Sequence, residues 1–239
     1  MDLANFLIQL LNSVQYGLLL FMLAAGLTLI FGIMGVVNLA HGSFYMLGAY
    51  LAWSLSSLTG SLTLAILGGA VLSVVFGLAL EWLLFRHFYH RDHLDQVLLT
   101  FGLIYIFEEM RSILWGDDVH GVAIPDFLGA SIPLTDNLSY PVYRLFMSGV
   151  CVALAAVAGM IAAPISSVYP NMGSQVLIMC FVVVVIGGIG SVRGALISAL
   201  LVGLVDTFGK ILLPSVAGML VYMLMAAVLL WKPEGLFKS

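Results

Sequence analysis

The chain has 239 residues, of which 62% are hydrophobic and 8% charged, with a formal net charge of −4. A soluble domain of this size has to cover itself with polar side chains, and this composition supplies about a third of the usual charged fraction of roughly 25%. A secreted, disordered or nucleic-acid-binding protein is excluded on the same grounds. The remaining class is an all-α, polytopic helical membrane protein. At about 20 residues per crossing the length allows roughly seven or eight transmembrane or re-entrant segments, read as a single transmembrane domain over 1–239. The first apolar run is too long for the h-region of a cleavable signal peptide, and no basic residue precedes it.

In chain order, apolar runs predict segments over Phe6–Gly32, Phe44–Leu58, Leu62–Phe85, Val97–Trp115, Val142–Ala163, Val176–Ile189, Ala195–Leu213 and Val216–Trp231. A lipid environment leaves no partner for open backbone groups, so these runs read as helices. The ten-residue alternation of a β-barrel is absent. A polar stretch, Arg86 to Asp95, follows the third run. A longer acidic loop, Gly116 to Pro141, follows the fourth. Lys and Arg mark the inner side of a membrane protein. Arg86 and Arg91, Arg193, and Lys232 with Lys238 therefore place the loop after segment three, the turn after segment six and the C-terminus inside. Asp2 and the acidic loop with Asp117, Asp118, Asp126 and Asp136 suit the outside. Three segments then separate Arg91 from Arg193, an odd number between two inner loops. One crossing is missing, or one segment does not cross.

Two glycine-rich stretches stand out. Gly26 to Tyr50 contains several glycines, and Asn38, His41 and Ser43 place polar groups between two apolar runs. Broken helices in transporters expose backbone groups to a solute in this way. A short polar turn between packed helices accounts for the same residues equally well. Gly187-Gly188-Ile189-Gly190-Ser191-Val192-Arg193-Gly194 reads as a re-entrant turn or a hinge. It lacks the Gly-Lys-Ser/Thr ending of a phosphate-binding loop, and no strand precedes it.

The remaining features read as structure. Ala195, Ala199, Gly203 and Thr207 recur every four residues and form a stripe for close helix packing. Asp206 and Lys210 are spaced as an i,i+4 ion pair. Glu108 and Glu109 precede Arg111, a ready partner. His87, His90 and His93 read as a solvated basic loop near lipid headgroups rather than a metal site. Cys151 and Cys180 read as small packing residues. No nucleophile, base and orienting group occur together, so no catalytic residue and no cofactor is expected.

Gly26 to Tyr50, centred on Asn38-Leu39-Ala40-His41-Gly42, resembles the signature of LivH-type permeases, the membrane subunits of ABC importers for branched-chain amino acids. Val184 to Ala195, Leu114-Trp115-Gly116 and Trp231-Lys232-Pro233-Glu234-Gly235-Leu236-Phe237 follow in family order. The resemblance implies a bacterial inner-membrane permease with a second homologous permease subunit as partner. It further implies two cytoplasmic ATPase subunits that hydrolyse ATP, and a periplasmic solute-binding protein. By analogy Asn38, His41, Gly42 and Ser43, with Gly187, Gly188, Gly190 and Ser191, line or gate the solute path. Importers of urea or short amides use related permeases, so the motifs leave the solute open.

The chain departs from the family pattern in its middle. Members of the family are longer, with a basic cytoplasmic stretch after the region matching Tyr143-Arg144-Leu145-Phe146. That stretch carries a coupling helix and is followed by a returning crossing. Here Met147 to Ala155 runs straight into Ala156 to Pro164. Fusing two antiparallel helices near Ala155–Ala156 removes one crossing, which accounts for the odd count. A shortened, non-transporting permease is therefore the alternative.

Overall fold

A computed structural model describes residues 3–34, 38–88, 91–126, 129–135, 138–141 and 169–237. Segment five, the Ala155–Ala156 junction, His90 and Cys151 lie outside the described residues. The seven long helices among the described residues are α1 (Leu3–Met34), α2 (His41–Thr59), α3 (Leu62–Leu80), α4 (His93–Trp115), α5 (Met172–Gly187), α6 (Val192–Leu212) and α7 (Ala217–Trp231). The chain is an all-α, multi-pass membrane protein.

Among the described residues three stretches are long and apolar enough to cross a bilayer: Leu3–Thr28, Leu62–Phe88 and Val192–Leu212. At 1.5 Å per residue each exceeds the ~30 Å hydrocarbon core. Helices α5 and α7 are apolar but shorter. The fourth run is helical as expected, although Asp95, Glu108, Glu109 and Arg111 make it the most polar helix. Leu64, Leu67, Val71, Val74, Val75 and Leu78 leave one side of α3 exposed, as a lipid-facing surface requires. The end of α3 widens into a π-helical turn, Glu81–Phe85, before the Arg86–Phe88 turn. Nothing in the hydropathy pattern signals that change.

One expectation is incomplete. The stretch after Trp115 contains an antiparallel hairpin, β1 (Ser131–Thr135) with β2 (Leu138–Pro141), rather than loop alone. Its register pairs Ser131 with Pro141 and Ile132 with Tyr140, with a shift between Pro133 and Thr135. Two prolines in nine residues argue against a strand by propensity. Pairing over so few residues tolerates them at the bulge and at the end.

The chain forms two compact units. The first holds α1, the hairpin, α6 and α7. The second holds α2, α3 and α4, and α5 begins in the second and ends in the first. In the first unit the small-residue stripe packs α6 against α1. A Cβ on Gly203 would sit 2.5 Å from the Ser13 carbonyl oxygen, and one on Gly17 would sit 2.8 Å from that of Ala199. Ala195 and Ala199 are fully buried beside them. Only small residues permit backbones this close, so the stripe read from the sequence is a helix–helix seam. The Asp206–Lys210 pair forms at 2.6 Å at the far end of α6. Cys180 is a buried free thiol within α5.

Candidate functional site

The first motif builds the junction between α1 and α2. Helix α1 continues through Gly26 and Gly32 to Met34, so these glycines do not break it. Residues 38–40 are non-helical, and α2 begins at His41. Asn38 shapes the turn: its Oδ1 accepts from the Ala40 N–H at 3.0 Å, and its carbonyl accepts from the His41 N–H at 3.2 Å. This is the local side-chain-to-backbone bonding that lets Asn compete with helix formation. Ala40 occupies the cap position of α2 and supplies no side-chain cap. Ser43 is buried in the first turn.

Gly42 lets α2 meet α5 within the second unit. A Cβ there would overlap the Gly173 carbonyl oxygen and stand 2.8 Å from Leu177 Cβ. The contact is reciprocal: a Cβ on Gly173 would stand 2.7 Å from the Gly42 carbonyl oxygen and 3.2 Å from Ser43 Cα. The first turns of two helices therefore cross with backbone against backbone. Their positive dipole ends lie together, and the His41, Ser43 and Phe44 N–H groups of α2 donate to the Asn38 and Ala40 carbonyls. Gly173 was not singled out from the sequence. The only local signals were Pro170 and Asn171, whose positive φ of 62° marks the turn before α5.

The second motif lies in the first unit and is a tightly packed turn. Gly187 and Gly194 press together across it, since a Cβ on Gly187 would lie 2.5 Å from the Gly194 carbonyl carbon. Gly188 and Gly190 adopt positive φ values of 97° and 87°, which favour glycine. Ser191 caps α6, its Oγ accepting from the Gly194 N–H at 3.1 Å. The C-terminal motif closes over this turn. Leu236 N–H donates to the Ile186 carbonyl at 2.8 Å and Phe237 N–H to the Gly187 carbonyl at 3.1 Å. Gly235 packs on Gly188, and a Cβ on Gly188 would overlap the Phe237 carbonyl oxygen. Two motifs read separately from the sequence are thus one structural feature.

The C-terminal end of α4 gathers groups the sequence reading had only partly grouped. Arg111 is 6% exposed. Its Nη1 donates to the Gly116 carbonyl at 2.6 Å and to Asp117 Oδ1 at 2.7 Å, while its Nε stands 3.5 Å from Glu108 Oε2. Glu108 rather than Glu109 is the partner of Arg111, and Glu109 is exposed. The hydrogen bond from Arg111 holds the Asp117 carboxyl below its usual range. The stabilisation that Asp117 supplies is therefore present above the unfolded-state value, near 3.8, and lost as pH falls further. Around this pair stand Tyr50, Trp53, Trp115 and His120. Tyr50 lies 5.2 Å from Trp115, His120 stacks on Trp53 at 4.0 Å, and Trp115 Nε1 donates to Ser54 Oγ at 2.6 Å. His87 is exposed, and among the described residues no group of His, Cys, Asp and Glu is placed to hold a metal.

The sequence pattern of a family described as branched-chain amino acid transport system, permease component, matches residues 9–140 and 138–229. The chain is 24% identical to the high-affinity branched-chain amino acid transport system permease protein BraD of Pseudomonas aeruginosa, covering 98% of this chain and 96% of the relative. It is 24% identical to the LivH permease protein of Escherichia coli K12, covering 97% and 95%. It is 25% identical to a probable LivH permease protein of Methanocaldococcus jannaschii, covering 94% and 90%. No solved structure matches the chain. The alignment to BraD spans 298 positions against 239 residues here, so at least 59 positions lack a counterpart in this chain. The two-part match agrees with an interruption inside the chain rather than at its ends. The chain belongs to the family of permease components of branched-chain amino acid transport systems.

Proposed function

We propose that this chain is a membrane-spanning permease subunit of an ABC importer for branched-chain amino acids, acting as a single domain over 1–239 in the bacterial inner membrane. A second homologous permease completes the channel, two cytoplasmic ATPase subunits drive alternating access, and a periplasmic binding protein delivers the solute. The observation that carries the reading is the broken junction at Asn38–Ser43 in a permease family, where α2 starts uncapped against the first turn of α5. Asn38, His41, Gly42 and Ser43 border the path there. By the family resemblance Gly187, Gly188, Gly190 and Ser191 line or gate the solute path. Apolar walls suit a branched aliphatic side chain, each buried CH₂ contributing about 0.8 kcal/mol.

The test is reconstitution of the chain with its partner permease, both ATPases and the binding protein in proteoliposomes. ATP-dependent leucine uptake is expected, and an assembled complex that takes up no solute would overturn the importer reading. Urea uptake without leucine uptake would overturn the solute assignment.

The missing 59 or more positions favour a second reading, a shortened permease that no longer transports. It predicts that the chain copurifies with its partner permease but not with the ATPases. Tight ATPase binding would eliminate it.

A further inference from the structure

The turn between α5 and α6 and the C-terminal tail form one knot of backbone, on the side that the Lys and Arg residues mark as inner. Gly235 N–H donates to the Lys232 carbonyl at 3.0 Å, Gly235 packs on Gly188, and Ser191 N–H donates to the Gly188 carbonyl at 3.1 Å. Lys232 and Arg193 therefore leave the same knot, and both are exposed. Among the described residues neither forms an ion pair. Arg193 does not serve its own helix, because a cation in the first turn of α6 opposes the dipole. Helix α6 has 21 residues, so at about 1.5 Å per residue it spans the ~30 Å hydrocarbon core and leaves Arg193 at its boundary. Beside the two cations Ile189, Val192, Leu230 and Trp231 are exposed, and Lys232 Nζ stands 5.8 Å from the Trp231 ring centroid. Arg193, Lys232 and Lys238 outnumber Glu234 at this end of the chain. The turn after α3 carries a similar pair, with Arg86 5.7 Å from the Trp82 ring centroid. There Glu81, Asp92 and Asp95 outnumber Arg86 and Arg91. Of the two turns, the one before α6 joins surplus positive charge to exposed apolar side chains.

We propose that this knot is a binding site for an anionic phospholipid of the inner leaflet. Arg193 and Lys232 take the phosphate, and Val192, Leu230 and Trp231 meet the acyl chains below it. Phosphate oxygens accept charge-assisted hydrogen bonds, which a guanidinium and an ammonium both donate. An indole ring sits at headgroup level, which suits Trp231 beside Lys232. A free phosphate offers the charge but nothing to the apolar side chains. A zwitterionic phospholipid offers the chains without the surplus charge that attracts Lys and Arg. The site needs a membrane-spanning chain and does not rest on the importer reading.

The experiment uses the full chain in vesicles of phosphatidylglycerol and phosphatidylcholine in equal parts, with one of the two brominated in its acyl chains. Bromine quenches tryptophan by contact, and the Trp231→Phe variant gives the emission of the other tryptophans for subtraction. Trp231 should prefer phosphatidylglycerol about fivefold, the effect of one surplus cation near a lipid surface, and the preference should shrink as salt rises. Arg193→Gln combined with Lys232→Gln should remove the preference. Arg193→Lys combined with Lys232→Arg should keep most of it, which separates lost charge from a folding defect. Arg86→Gln should leave it unchanged, and inorganic phosphate at matched ionic strength should not displace the lipid. The proposal falls if both lipids quench equally or if the double Gln variant keeps the preference. It also falls if Arg86→Gln removes the preference as well, since the attraction is then diffuse. Displacement by inorganic phosphate would show a simple ion site and overturn the lipid assignment.

Discussion

At Gly42 and at Gly188 a glycine lets backbone approach backbone, but the two junctions are closed differently. At Gly42 the start of α2 meets the start of α5, and the cap position Ala40 has no side-chain oxygen. There the first-turn N–H groups of α2 are taken up by the turn's own backbone, the Asn38 and Ala40 carbonyls. At Gly188 the start of α6 is capped by Ser191, and carbonyls at the end of α5 accept from Leu236 and Phe237. The second junction has its polar groups answered by the chain itself. The first is closed by local backbone turns and the second by a distant segment of the chain. Similar glycine-rich strings therefore encode different devices, and the neighbouring polar residues decide which.

Gly188→Ala is expected to have the largest effect on this contrast. Its φ of 97° strains any side chain, and the new Cβ would strike the Phe237 carbonyl. A loss of about 3 kcal/mol is expected from strain and overpacking together. Thermal unfolding of the purified chain measures it, and deleting Leu236 to Ser239 should weaken the same turn. If Gly188→Ala unfolds like the native chain, the clasp does not hold the turn.

Gly42→Ala comes next, at about 1–3 kcal/mol for forcing a methyl group between two backbones. Gly173→Ala should match it, because the contact is reciprocal. Combining the two should cost less than their sum, since one helix separation relieves both clashes. Strict additivity in unfolding measurements would show that the glycines act independently, and the shared crossing would be wrong.

Ser191→Ala removes a single cap hydrogen bond, worth about 1 kcal/mol. The matching change at the other junction, Ala40→Ser, supplies a cap where α2 has none. It should stabilise α2 by less than Ser191 contributes to α6, because the Ser43 and Phe44 N–H groups already donate to the Ala40 carbonyl. Thermal unfolding measures both, and an equal gain at Ala40 would show that those backbone bonds do not replace a side-chain cap.

How much of this was legible in the sequence follows from the range of each interaction. The long apolar runs of α1, α3 and α6 set their own helices, because lipid permits little else. The Ala195–Gly203 stripe and the Asp206–Lys210 pair are helical spacings within one segment, so they read directly. Gly173 opposite Gly42, and the tail over Gly188, join residues far apart in the chain. No local pattern encodes such partners. The same limit hid the grouping of Tyr50, Trp53 and His120 around Glu108 and Arg111. The hairpin at Ser131–Pro141 was missed for a different reason, because Pro133 and Pro141 outweighed the short apolar alternation.

Gly218 closes the series with the smallest effect and the opposite sign. It lies in the first turn of α7, and a Cβ there would meet nothing within 4 Å. Alanine should therefore relieve the entropy of an unneeded glycine and raise stability by about 0.5–1 kcal/mol. Gly209 differs only in its surroundings: its Cβ would stand 2.7 Å from Leu220 Cδ1, the end of a flexible side chain. Gly209→Ala should fall between Gly218→Ala and Gly42→Ala, since Leu220 can turn away and a backbone carbonyl cannot. If all three cost the same, glycine content alone governs these helices and the distinction between the two junctions loses its basis.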